Sequence, residues 1–290
     1  MAKSKFRHEL TSTLKHNKDG SFSTQKMRER SLIQAGKELN QMGYRDLNLA
    51  NFKARHVTQL VSAWKDKGLS TATIKNRVSH VRWLAEKIGK ENIVPKTNAE
   101  LGIERRAYSN NDINKAQEID QAKFEQLPER YQLCIKLQRE FGLRREESLK
   151  FQPDYADKGD HIELKDSWCK GGREREIPIL TAEQISLLNR CVEFAQGGSM
   201  IAPEKTYYQE MKSFENACHQ VGISNVHGFR HAYAQDRYKK LSGEDCPKAG
   251  GITSKKLNEA QKQADYAARM QVSSELGHSR EEITTRYLGR

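Results

Sequence analysis

Apolar residues recur at helical spacing through almost every segment of this chain, and one short stretch breaks that rhythm. Before residue 90 the pattern appears three times. Residues 24–42 carry Met27, Leu32, Ala35, Leu39 and Met42, and residues 54–67 carry Val57, Leu60, Val61 and Trp64 before Lys67-Gly68. Residues 70–89 carry Ile74, Val78, Val81, Leu84 and Ile88, with Ser70 or Thr71 as cap and Gly89 as stop. Such stripes hide from water only against one another, so this part reads as a small helical bundle. The break lies at His161-Ile-Glu-Leu-Lys165 and Glu174-Arg-Glu-Ile-Pro-Ile-Leu180, which bracket Lys170-Gly-Gly172 and read as a hairpin or small antiparallel sheet. Helical patterns surround it: most of 113–150, then 182–196, 205–221, 228–240 and 255–270. The expectation is a mainly α fold with a small antiparallel β-sheet.

Residues 91–112 lack periodicity and read as a linker. The chain therefore parses into a polar, basic leader (1–22), a helical domain (23–90), the linker, and a second domain (113–290). Charge follows the same division. Residues 1–100 hold 20 Lys and Arg against 9 Asp and Glu, whereas residues 101–290 hold 30 against 29. A basic domain joined to a balanced one points to a polyanion gripped by the first part. Lys65, Lys67, Lys75, Arg77 and Arg82 are its candidate phosphate contacts, although any one of them alone is equally a solvated residue. The five cysteines are odd in number and form no Cys-x-x-Cys pair, which argues for reduced thiols and against a zinc ribbon or disulfide framework. No apolar run approaches the ~20 residues that span a bilayer, and no hydrophobic signal core follows the basic N-terminus. A cytoplasmic, nucleoid-associated protein without a membrane partner is expected.

Four segments carry groups suited to phosphoryl chemistry. Gly142-Leu-Arg-Arg-Glu-Glu147 opens a helix with Arg144, or its neighbour Arg145, and sets Glu147 three residues on from Arg144. Lys170 stands at a glycine turn where its stem can swing; Lys165 is its rival on the strand. Arg175 nearby reads as a hairpin or DNA-backbone contact. His227-Gly-Phe-Arg230 puts an imidazole and a guanidinium on one helix face. The last sixteen residues hold Leu-Gly-His278 and, nine positions later, Tyr287, with Ser279 and Glu282 spaced as a capping box. Tyr207, Tyr208 and Tyr233 read as helix packing.

At these residues the chain resembles the tyrosine recombinase (phage integrase) family. The resemblance rests on Gly-Leu-Arg-x-x-Glu, Lys-Gly-x-x-x-Arg-x-Ile-Pro, His-x-x-Arg-His231 and Leu-Gly-His with the following Tyr, and spans roughly 125–290. It implies a catalytic domain in 113–290 and makes 23–90 a helical (SAM-like) core-binding domain, the two clamping duplex DNA. Tyr287 would be the nucleophile, forming a 3′-phosphotyrosyl bond, with Arg144 and Arg230 forking onto the non-bridging oxygens. Lys170 would protonate the leaving 5′ oxygen, His227 would assist proton removal from the phenol or stabilise the phosphate, and His278 would donate a hydrogen bond to a phosphate oxygen. Glu147 would orient the site. No metal, ATP or other cofactor is implied. Implied partners are double-stranded DNA, a homotetramer on synapsed sites, and accessory DNA-bending or directionality factors; the implied role is integration or excision of a mobile element. A type IB topoisomerase or a DNA-binding regulator without cleavage are the alternatives. Two features depart from the family pattern: a long polar stretch at 241–262, expected to be a surface insertion ordered by DNA or a neighbouring subunit, and a chain that stops three residues after Tyr287.

Overall fold

The computed structural model describes residues 5–105 and 113–290. The chain divides into two compact units, with the boundary between residues 107 and 108. In the first, α1 (Lys5–His16), α2 (Phe22–Gln41), α3 (Ala54–Asp66) and α4 (Thr71–Lys87) surround one core. The hydroxyls of Ser21 and Ser70 accept from the amides of Thr24 and Thr73, capping α2 and α4. Leu32, Ala35 and Leu39 of α2 meet Val57, Leu60, Val61 and Trp64 of α3 and Ile74, Val78, Val81 and Leu84 of α4, all buried. Each large aliphatic side chain removed from water there contributes about 1.5–3 kcal/mol.

Three expectations for this unit change. Met27 and Met42 are 53% and 38% exposed, and the α2 stripe is completed by buried Arg28 and Glu38. The Arg28 guanidinium lies 4.1 Å from the centre of the Trp83 ring, and Glu38 accepts from the Trp64 indole at 2.7 Å. Counting apolar residues overlooks charged ones that aromatic partners bury. Residues 5–16, read as leader, form α1, whose Phe6 and Leu10 enter the core with Leu14 packed against it; their i, i+4, i+8 spacing was the helical signal in an otherwise polar segment. Residues 91–105, read as linker, stay with this unit because Val94 and Ile103 are buried in the same core. Residues 1–4 of the leader and 106–112 of the linker lie outside the described residues.

The second unit contains α5 (Gln121–Phe124), α6 (Glu129–Glu140), α7 (Arg145–Lys150), α8 (Pro153–Ala156), β1 (His161–Leu164), β2 (Arg175–Pro178) and α9 (Ala182–Ala195). Then follow α10 (Tyr207–Gln220), α11 (His227–Ser242), α12 (Glu259–Glu275) and α13 (Thr285–Leu288). The strands pair antiparallel with His161 opposite Pro178 and Leu164 opposite Arg175. Residues 165–174 join them through a 3-10 turn at Asp166–Trp168, so the connection is longer than a tight hairpin. Helix α11 is the spine: Gly228 through Gln235 are all buried, against α6, α12 and α13.

The 241–262 stretch is folded onto this unit rather than waiting for a partner. Cys246 has no exposed surface, and 3-10 turns form at Pro247–Ala249 and Ser254–Lys256. Tyr208 is 63% exposed, so it does not pack as expected, whereas Tyr233 is buried and donates to Glu275 at 2.7 Å.

Candidate active site

The site is assembled where three helix ends meet α11. At Gly142 the backbone takes φ +61°, and a Cβ there would stand 2.4 Å from the Tyr233 ring, so glycine alone fits before α7. Arg144 is the N-cap of α7, and the Glu147 carboxylate reaches back to the Arg144 amide at 2.6 Å while pairing with its guanidinium at 2.6 Å. At the end of α12, the amide of His278 donates to the carbonyl of Ser273 and that of Gly277 to Ser274, with Gly277 at φ +67°. This is a Schellman cap, and it explains the Leu-Gly-His sequence physically: glycine takes the left-handed position and the imidazole is thrown out beside it. The carbonyl of Leu276, left open at the helix end, accepts from both Arg144 and Arg230.

Arg230 is fully buried. Its guanidinium donates to the carbonyls of Gly142 and Leu276, and its Nε donates to the Tyr287 hydroxyl at 3.3 Å. Tyr287 is itself 6% exposed and ringed by imidazoles: the centroids of His231, His227 and His278 lie 4.6, 5.9 and 6.2 Å from its own. A cleft of about 830 Å³ is lined by Arg144, Lys170, Arg173, His227, His278 and Tyr287. The structure thus brings five of the six candidate catalytic residues, the exposed Lys170 among them, to one cleft wall, while Arg230 lies just beneath it.

One carboxylate faces three guanidiniums, which leaves net positive charge for an anion. Glu147, fully buried, takes Arg175 as a bidentate partner at 3.0 and 2.7 Å, with Arg230 3.8 Å away. Burial works against ionisation of Glu147, but hydrogen bonds and charge from Arg175, then the charges of Arg230 and Arg144, hold its pKa down to about 2. Arg230 is lowered to about 10, by burial first, with Tyr287 opposing and Arg144 adding repulsion. The histidines follow suit. Desolvation, then Arg230 and Arg144, depresses both His227, partly open to the cleft, and His278 to about 4. His231 falls to about 3 through desolvation and then His227. All three imidazoles are therefore neutral at neutral pH. The Nε2 of His278 is buried with no hydrogen-bond partner, a polar atom left for a ligand.

Arg175, read as a hairpin or DNA-backbone contact, stands on β2 of the antiparallel pair and is turned away from solvent. It is 8% exposed, spends two nitrogens on Glu147, and donates through Nε to the carbonyl of Glu275 at 2.8 Å. Strand alternation turns it inward with Ile177, and only a buried carboxylate can neutralise it there. Arg145, the rival of Arg144, points away to Glu215 at 2.7 Å, and Lys165 is held by Gln152 at 2.8 Å. The capping box at Ser279 and Glu282 does not form. The chain enters a 3-10 turn at Glu281–Thr284, where Glu281 is drawn to Arg290 at 2.9 Å and Arg269 at 3.6 Å, and the Ser279 hydroxyl accepts from Arg173. Sequence reasoning quoted His231 in a motif but gave it no role; its i, i+4 spacing from His227, which brings the rings to 5.3 Å, was the signal.

Of the candidate phosphate contacts in the first unit, Lys67 and Arg77 pair with buried Glu38 at 3.3 and 3.5 Å. Lys65 donates to the carbonyl of Leu101, and Arg82 to the carbonyl of Pro95 and the side chain of Asn98. Lys75 has no hydrogen-bond or ion-pair partner among the described residues.

Residues 3–94 match the family model described as phage integrase, N-terminal, and residues 104–236 match that described as integrase. The chain belongs to the tyrosine recombinase family. It is a site-specific DNA strand-exchange enzyme. The second match ends before His278 and Tyr287, so the place of those two in the recombinase site rests on the geometry above. Solved structures share the fold. A lambda integrase (75–356) dimer bound to a COC′ core site is 18% identical, with a TM-score of 0.62 over 98% of this chain and 96% of that one. XerH site-specific recombinase bound to a palindromic difH substrate is 17% identical, with a TM-score of 0.59 over 97% and 80%. The Tn1549 transposon integrase with circular intermediate DNA is 14% identical, with a TM-score of 0.57 over 98% and 95%. No curated protein matches the chain. No helix among the described residues is long and apolar enough to cross a membrane, and none of their His, Cys, Asp and Glu side chains group as a metal site.

Proposed function

We propose that this recombinase integrates or excises a mobile DNA element by transferring a DNA strand to Tyr287 and back. The observation that carries the reading is the contact between the Tyr287 hydroxyl and buried Arg230, at a cleft that Arg144, Lys170, His227 and His278 also line. A phosphodiester entering the cleft meets Arg144 and Arg230; the single carboxylate of Glu147 faces three guanidiniums, those of Arg144, Arg175 and Arg230, so net positive charge is left for the phosphate. Arg144 and Arg230 are fixed by backbone carbonyls before the reaction, so they stabilise the pentavalent phosphorane without reorganising. Tyr287 attacks phosphorus as its proton passes to a neutral imidazole, His227 being the base at the cleft rim. Lys170 protonates the departing 5′ oxygen. The free 5′ hydroxyl of another strand then reverses the sequence, and the phosphotyrosyl bond conserves the energy of the broken phosphodiester. Two sites held by four subunits give the exchange its symmetry, as in a lambda integrase tetramer bound to a Holliday junction.

Trapping on nicked suicide substrates cut from DNA flanking the gene tests this reading. A covalent adduct at one position, absent with Tyr287→Phe, is expected. Binding without an adduct would favour a regulator, and adducts scattered over many positions a topoisomerase.

A further inference from the structure

The helix that carries Tyr287 is one turn long, and no isolated helix of that length persists in water. Its last carbonyls have no helical donors of their own. Each of three finds a side chain from a different element. Gln235 of α11 donates to the carbonyl of Tyr287 at 3.0 Å, and the same amide pairs in both directions with Asn114. Arg269 of α12, fully buried, donates to the carbonyl of Gly289 at 2.9 Å. Lys248 donates to the carbonyl of Arg286 at 2.7 Å, a cation at a helix C-terminus where the backbone dipole favours it.

Lys248 differs from the other two because it comes from the 241–262 insertion. The insertion is itself pinned to the unit. Cys246 is wholly buried, and Gly251 lies so close to the preceding turn that a Cβ would stand 1.6 Å from the carbonyl oxygen of Asp245. The turn at Pro247–Ala249 therefore presents Lys248 from a fixed base, directly against α13. Arg286 immediately precedes Tyr287, so displacement of its carbonyl moves the phenol with it. Among the described residues, the Tyr287 hydroxyl is held by a single 3.3 Å bond, from Arg230.

We propose that Lys248 is a positioning residue for strand transfer: the insertion uses its ammonium to tie down the Arg286 carbonyl and so keeps the Tyr287 hydroxyl at Arg230. The inference rests on Tyr287 being the nucleophile. It makes the polar stretch, otherwise a departure from the family pattern, the support of the attacking group.

The test uses the full chain as wild type, Lys248→Met and Lys248→Arg. Methionine keeps the length and apolar stem without the donor; arginine restores a cationic donor. Hydrogen exchange of segment 281–290 is measured without DNA, and adduct formation is timed on a nicked substrate at saturating DNA. Lys248→Met should speed exchange in 281–290 roughly tenfold, about 1.4 kcal/mol. It should slow adduct formation by a similar factor, with DNA affinity within about twofold of wild type, and Lys248→Arg should recover most of both. Unchanged exchange in Lys248→Met would overturn the tether. Faster exchange with an unchanged adduct rate, or a loss confined to DNA affinity, would overturn its role in transfer. A wild-type protein that forms no adduct would remove Tyr287 as nucleophile, while exchange would still report whether the tether exists.

Discussion

Replacing Glu147 with glutamine removes one charge and almost no volume, at the point where three guanidiniums converge. In the wild type this carboxylate accepts from the Arg144 amide and guanidinium at 2.6 Å each and from Arg175 at 3.0 and 2.7 Å, with Arg230 at 3.8 Å. Glutamine keeps one acceptor oxygen and turns an NH2 toward nitrogens that can only donate. The lowering of Glu147 from the ordinary 4.5 to about 2 corresponds to roughly 3 kcal/mol. Removing one member of a buried ion pair costs about 3–5 kcal/mol by independent reasoning. For a unit of this size, each kcal/mol shifts Tm by about 2–4 °C, so the second unit of Glu147→Gln should melt roughly 10 °C below wild type at pH 7. The sign with pH is fixed as well. A carboxylate whose folded pKa is depressed adds stability above its unfolded pKa and loses it as pH falls through the folded value. The gap between wild type and variant should therefore be constant above about pH 5 and narrow from about 4.5 toward about 2. Calorimetry of both proteins across that range is the assay. A gap at pH 7 below about 1 °C, or one that widens in acid, would refute the view that Glu147 neutralises the site.

Lys170→Ala should cleave ordinary DNA at least about a hundredfold more slowly, in line with the loss of a general acid. It should approach wild-type rates with a 5′-bridging phosphorothiolate, whose sulfur leaves without a proton; failure to recover would remove Lys170 from that role. In the first unit, Lys75→Gln should weaken DNA binding on all sequences alike and reduce the slope of log affinity against log salt by about 1, since one fewer counterion is released. Arg82→Met should leave that slope unchanged and lower the stability of the unit, because Arg82 is spent on Pro95 and Asn98. Equal loss of slope in both would contradict the distinction drawn between them.

How much could be read in advance depended on whether a residue's partner was near in sequence. The stripes of α3 and α4 were plain because their apolar residues repeat at one period, and β1 and β2 because theirs alternate. The six candidate catalytic residues were legible as motifs, since each sits beside a glycine, a turn or a short fixed spacing that its role demands. What stayed hidden depends on distant pairings. Arg28 and Glu38 are buried only because Trp83 and Trp64, far along the chain, cover them. Arg175 looked like a surface cation, although its phase with Ile177 placed it inside; its partner Glu147 lies 28 residues away. Gln235, Lys248 and Arg269 meet carbonyls of the last turn, and a backbone acceptor leaves no trace in the sequence.

The central claim is that Tyr287 makes the covalent bond to DNA, and it is tested most directly by finding the bond. A suicide-substrate adduct, digested with protease and nuclease and read by mass spectrometry, should carry its residual nucleotide on the peptide containing Tyr287 and nowhere else. A nucleotide on another tyrosine, such as exposed Tyr208 or Tyr266, would contradict the account.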